Sequence, residues 1–233
     1  MARLFDRNMF IMLLAIMVGV VVITFFIADI VNRSAIDDIR KEHEVEIDDI
    51  NVKNEQFTSH FIDSTVGLDF ARDHLANGDY HYDLAFLWYY SSLNEKNVTN
   101  LELYKERGID NCSEALPDYL NSLGSFETAE DLFKETRNYT SYYRYLEILD
   151  LYINLTKSGA NLTILKYNAI GKLNILIDNI IFDEQTGNIT YKEDVSDILD
   201  SLAEDLELIK EEERKYDNCQ SEIDEYPLFD EIR

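Results

Sequence analysis

From Met9 to Ala28 the chain reads MFIMLLAIMVGVVVITFFIA, twenty residues without a charge and with Thr24 as the one hydroxyl. At the α-helical rise such a run is about 30 Å long, the hydrocarbon thickness of a bilayer. A cleaved signal peptide carries a shorter apolar run of roughly 7 to 15 residues, and a cut after Ala28 would leave bulky Phe26 three places upstream. The pattern therefore predicts an uncleaved signal-anchor over residues 9–31, with the lipid bilayer as its partner and residues 1–8 on the cytoplasmic side.

Positive charge alone does not orient this segment, because Arg3 and Arg7 precede it while Arg33, Arg40 and Lys41 follow it. A second pattern does. The acceptor triplet Asn-x-Ser/Thr occurs at Asn32, Asn97, Asn111, Asn138, Asn154, Asn161 and Asn188, every copy after the apolar run. With 18 Asn in the chain, and Ser plus Thr at about a tenth of positions, roughly two matches arise by chance. Seven suggest a glycoprotein whose body lies outside the cytoplasm. The alternative is an accident of Asn-rich composition. Cys112 and Cys219 are the only cysteines, and an oxidising compartment would let them pair, closing a loop of roughly 100 residues for about 4–5 kcal/mol. Two buried thiols are the other reading.

Charge excludes one class of partner. Lys plus Arg total 21 against 46 Asp plus Glu, a net charge of -25, which repels the phosphates that a nucleic-acid-binding protein must attract. Only 8 Gly and 2 Pro are present, too few turn residues for many short strands, so an all-α fold is expected. Its form is a single N-terminal transmembrane helix followed by a helical bundle or an irregular helical-hairpin array. Ile36, Ile39, His43, Ile47, Ile50, Asn54, Phe57 and Phe61 recur at spacings of three and four, which makes residues 32–62 a helical stalk. His43 and Asn54 could set register in a homo-oligomer built on that stripe; otherwise the stripe rests on its own domain.

Residues 63–216 break into apolar helical stretches at Gly or Asn. Gly78, Gly124 and Gly159 sit where a left-handed residue would end a helix, and Ser113, Ser125 and Ser141 where a cap would begin one. The stretch 160–181 is apolar on most sides and belongs at the centre of a bundle. Val195, Ile198, Leu199, Leu202, Leu206 and Ile209 mark the inner face of a last helix, after which residues 217–233 form an acidic tail.

In LNSLGSFETAEDLFKET, the positions Leu120, Gly124, Phe126, Ala129 and Phe133 resemble the middle of a tetratricopeptide hairpin; the match covers under a fifth of the chain, and the front half of that signature is missing. The resemblance implies two helices meeting at Gly124 and a concave surface for a protein segment. The stretch IFDEQTGNITYKEDV resembles an EF-hand loop, which implies Asp183, Gln185 and Glu193 as calcium ligands around Gly187, although the loop is one residue short. An ordinary turn or short hairpin fits Gly187 equally. His74 and His81 flank a turn with Asp73, Asp79 and Asp83 nearby, a donor set for a transition metal whose spacing matches no ligand signature.

Nucleophile, zinc-protease and phosphate-loop motifs are missing, so no catalysis, cofactor or resident metal is expected. Fifteen Tyr, clustered at 88–90 and 142–145, suit core edges or a binding face. These patterns point to an extracytoplasmic helical binding or scaffold protein, a non-catalytic subunit with a protein partner. The alternative is a cytoplasmic-facing, membrane-anchored adaptor of tetratricopeptide type.

Overall fold

The computed structural model describes residues 2–183 and 185–227, with the backbone alone for 2–30, 32 and 35. The chain divides into two compact units, Met1–Lys53 and Asn54–Arg233. The first is helical throughout its described residues, as the opening part of α1 (Ala2–Leu93). On it Ile36, Ile39, Val45, Ile47 and Ile50 are each more than half exposed. Among the described residues no helix is long and apolar enough to cross a membrane. The expected anchor, 9–31, falls on residues whose side chains lie outside that description, Val31 apart.

The second unit is an up-down-up-down bundle. It consists of α1 from Asn54 onward, α2 (Val98–Thr136), α3 (Tyr143–Asn179) and α4 (Ser196–Asp224). Contacts fix the directions. Gly67 of α1 lies against Ala129 of α2 and Gly108 of α2 against Trp88 of α1, so these helices are antiparallel. Gly159 of α3 meets Phe126, and Ile177 meets Gly108, so α3 reverses again. Lys172 of α3 reaches Asp205 of α4 while Ser158 reaches Glu212. The ring closes where Arg72 of α1 donates to Tyr216 of α4.

Local chemistry explains the ends. Asn97 caps α2, its side-chain oxygen accepting from the Thr99 N–H at 2.9 Å and the Asn100 N–H at 3.3 Å. Between α3 and α4 a hairpin pairs β1 (Ile180–Asp183) with β2 (Asn188–Tyr191), Ile180 opposite Tyr191 and Asp183 opposite Asn188. Gly187, at φ 70°, supplies the left-handed residue this turn requires. The core is richest along α3, where Leu155, Leu162, Ala169, Ile170, Leu173, Leu176 and Ile177 are all buried. Phe57 and Phe61 pack against Tyr145, Phe133 and Tyr152.

Four expectations need correction. Gly78, Gly124 and Gly159 end no helix; each lies inside one. Gly78 and Gly159 are instead sites of close approach, since a Cβ there would stand 2.7 Å from Tyr119 Cε1 and 2.4 Å from Phe126 Cε1. The helical hairpin implied at Gly124 is absent for the same reason: Leu120 through Phe133 lie on the unbroken α2. Phe126, Ala129 and Phe133 face the core and Leu120 faces out.

The expected disulfide is also absent: Cys112 and Cys219 are free thiols. Phe126 of α2 packs on Tyr216 of α4, ring centroids 6.2 Å apart, and these two helices run parallel. Cys112 precedes Phe126 by fourteen residues and Cys219 follows Tyr216 by three, an axial separation of about 25 Å. A bridge requires Cα atoms within about 7 Å. Finally, α4 runs on to Asp224, into the segment expected as tail, and Tyr226 fastens its end by donating to Glu147 at 2.6 Å.

Candidate functional site: a buried charge centre and two grooves

One side chain from each helix of the bundle meets at Lys166. This lysine comes from the middle of the apolar α3, and only 8% of its side chain is exposed. Its ammonium donates to both Asp79 oxygens of α1, at 3.0 and 2.9 Å, and pairs with Glu213 of α4 at 2.9 Å. Tyr119 of α2 donates to Asp79 Oδ1 at 2.9 Å. Burial opposes the charge on Lys166, yet the Asp79 and Glu213 carboxylates outweigh it and hold its pKa above the ordinary lysine value. The Tyr119 and Tyr82 hydroxyls are pushed far up, first by burial and then by Asp79. The Tyr82 oxygen is enclosed without a hydrogen-bond partner among the described residues.

These geometries limit the chemistry. The three protons of the ammonium are matched by three carboxylate oxygens, and a lysine with a raised pKa is the opposite of an amine tuned for nucleophilic attack or base catalysis. Lys166 is a four-helix clasp. Similar polar clips join α3 to α4: Lys172 donates to Ser201 Oγ at 2.7 Å and Asp205 at 2.5 Å, and Ser158 donates to Glu212 at 2.8 Å.

Among the clefts on the bundle surface, two run beside α1. Between α1 and α4 a cleft of about 390 Å³ is lined by Leu75, Ala76, Asp79 and Tyr216, and spanned by the Arg72–Gln220 contact. Between α1 and α2 a larger, open cleft of about 560 Å³ is lined by Gly67, Phe70 and His74 on one wall and Leu120, Asn121, Gly124, Ser125 and Thr128 on the other. His74 lies 3.1 Å from Asp118 at one end.

The sequence-predicted positions separate widely. Asp183, Gln185 and Glu193 do not form a helix–loop–helix calcium site. Asp183 and Gln185 belong to a hairpin and Glu193 follows it; Asp183 is occupied by its own turn, accepting from the Gln185 N–H at 2.8 Å and the Thr186 hydroxyl at 2.7 Å. Those bonds hold its carboxyl below the usual range. His74 and His81 each face α2, His81 lying 3.1 Å from Asn111, and among the described residues no three His, Cys, Asp or Glu gather as a metal site. Cys112 is fully buried, which pushes its thiol up to about 12 and leaves it a poor nucleophile.

Of the acceptor asparagines, Asn97, Asn138, Asn154, Asn161 and Asn188 are exposed. Asn111 is half-buried, its side-chain amide donating to the Arg107 carbonyl at 2.7 Å, and the side chain of Asn32 lies outside the described residues. Tyrosines serve packing at several points, with Tyr89 and Tyr191 hydroxyls 2.8 Å apart and Tyr145 stacked on Phe57. Tyr142 and Tyr143 are exposed.

Sequence reasoning missed the Lys166 clasp, although a lone lysine inside NLTILKYNAI was a legible signal for a buried, paired cation. It missed the α1/α2 groove, whose walls lie some fifty residues apart in the chain.

The fold and its surface define a four-helix bundle whose central buried lysine, Lys166, is saturated by carboxylates and whose clefts are open. Comparison with known proteins adds no family: no family model, no curated protein and no solved structure matches the chain.

Proposed function

We propose that the chain is a membrane-anchored, extracytoplasmic helical binding or scaffold protein that serves as a non-catalytic subunit of a cell-surface or membrane complex. One observation carries this reading: an uncharged stretch of bilayer length, Met9–Ala28, precedes all seven glycosylation acceptors. In this reading residues 9–31 hold the chain in the bilayer, residues 1–8 face the cytoplasm and the bundle stands outside. The exposure of Asn97, Asn138, Asn154, Asn161 and Asn188 supports it. A binding role rather than catalysis is favoured by the saturated Lys166 centre and the open grooves. The alternative, a cytoplasmic-facing adaptor of tetratricopeptide type, loses the helical hairpin that suggested it, since that segment is a single helix.

The test is topological. In sealed cells or right-side-out vesicles, the full chain should resist carbonate extraction, lose its bundle to added protease and gain mobility on glycosidase treatment. A chain recovered in the soluble fraction, or a bundle protected until the membrane is opened, overturns the reading.

A further inference from the structure

The α1/α2 face of the bundle combines three features that internal packing does not explain. Ile62, Val66 and Phe70 follow one another at i+4 and are 53%, 47% and 59% exposed, an apolar ridge that runs on to His74. Leu120, 53% exposed, stands across the groove. The groove is lined by two helical glycines. A Cβ at Gly67 would make ordinary contact with Ala129 at 3.6 Å, but one at Gly124 would meet no atom within 4 Å. An exposed glycine in mid-helix weakens the helix, and at Gly124 no internal close approach requires it. What its bare backbone offers is room for a third helix. Gly171 also has an open side but lines neither of the grooves described above.

Charge narrows the occupant. Asp63 and Asp73 on α1 and Glu127 on α2 flank this face and make no ion pair among the described residues. Asp69 has Arg72 at 3.8 Å, Asp131 has Lys134 at 3.0 Å and Asp118 has His74 at 3.1 Å. A second copy, with its own net charge of -25, and an anionic lipid surface would both meet like charge here. A cationic partner would not. From Ile62 to His74 the ridge is about 18 Å long, some three helical turns.

Resting on the reading of the chain as a binding protein, we propose that this face docks a basic amphipathic helix of a partner protein, its small apolar residues over Gly67 and Gly124 and its Lys or Arg against Asp63, Asp73 and Glu127.

The full chain in neutral-lipid nanodiscs is titrated with a labelled synthetic helix of about 20 residues, apolar on one face and Lys-rich on the other, and with a counterpart carrying Glu for Lys. The Lys helix should bind and the Glu helix should not. Gly124→Leu, whose Cβ would meet no atom within 4 Å and whose branch projects into the groove, and Phe70→Ser should each weaken binding tenfold or more with the circular dichroism spectrum unchanged. Leu208→Ser, an equivalent change on exposed α4 surface, should leave it intact.

The proposal is overturned if the Lys helix fails to bind at millimolar concentration, or binds equally to Gly124→Leu. It is also overturned if sedimentation shows a dimer that Gly124→Leu splits, or if anionic vesicles bind through the same residues. Failure of the chain to enter nanodiscs counts against the anchor alone, because the same titration then reads the groove on the chain in solution.

Discussion

Replacing glycine by alanine at three positions should give opposite signs, although all three look alike in sequence. At Gly124 the new methyl meets nothing within 4 Å, so the intrinsic helix preference for Ala over Gly, about 0.8–1.0 kcal/mol, should appear almost whole as a gain. At Gly159 the methyl would come within 2.4 Å of the ring of Phe126, which is fully buried and held edge-on against Tyr216. Overpacking of that kind costs about 1–3 kcal/mol. At this separation the upper end applies, leaving a net loss of about 1–2 kcal/mol after the helix gain. Gly78 resembles Gly159, because Tyr119, 2.7 Å from the methyl, is tied to Asp79 and cannot swing away freely. For a bundle of this size 1 kcal/mol moves the melting temperature by about 2–4 °C. Thermal melts of the full chain in neutral detergent, followed at 222 nm, should place Gly124→Ala a few degrees above the parent and Gly159→Ala and Gly78→Ala several degrees below. A destabilised Gly124→Ala, matching the other two, would mean that Gly124 does end a helix and would refute the unbroken α2.

Lys166→Met leaves Asp79 and Glu213 facing each other without their cation. Breaking a buried pair costs about 3–5 kcal/mol, but these acids are 35% and 44% exposed and recover water, so about 1–3 kcal/mol should be lost in urea unfolding. Alkali should act in the same direction. The raised Lys166 pKa gives stability that is complete below the ordinary lysine value and disappears as pH climbs through the folded one. Tyr82, Tyr89 and Tyr119, pushed up first by burial, keep protons that the unfolded chain releases near pH 10. Melting temperature should therefore fall above about pH 10, with the tyrosinate absorbance of these three residues appearing only on unfolding. Reducing and non-reducing gels should show one mobility, and a thiol reagent should label the half-buried Cys219 slowly in the folded protein but Cys112 only after denaturation. Glycopeptide mass spectrometry should find carbohydrate at Asn138 and Asn188 and none at Asn111, whose side chain is engaged by His81 and Arg107.

Much of the bundle was legible because its helices obey local rules. The α4 stripe reads directly from Val195 to Ile209, the stretch 160–181 is apolar enough to be central, and Gly187 within QTGN marks a turn on its own terms. The misread glycines had no such local signature. A helix-ending glycine and one that admits a neighbouring ring have the same flanking residues, and the distinction lies in Tyr119 and Phe126, some forty and thirty residues away. Lys166 was obscure for a similar reason. Its carboxylates come from α1 and α4, eighty-seven residues before it and forty-seven after.

The doubled triplet in NLTKSGANLT shows how one pattern can serve two purposes. The copies are seven residues apart, two helical turns, so equivalent residues return to one face of α3. Thr156 and Thr163 point inward and are almost fully buried, donating to the Ile153 and Gly159 carbonyls at 2.9 and 2.8 Å. Leu155 and Leu162 are buried beside them, and Asn154 and Asn161 face outward. A heptad of this kind is what packing alone would select, so these two triplets argue less for glycosylation than their number suggests. Asn97 has its own structural use as the cap of α2. Of the seven acceptors that leaves four, Asn32, Asn111, Asn138 and Asn188, against roughly two expected by chance. The case for an external bundle then turns on exposed sites with no other employment. Asn138, beside the break between α2 and α3, and Asn188, at the hairpin turn, meet that description. Carbohydrate confined to helix-interior positions would undo the argument as surely as no carbohydrate at all.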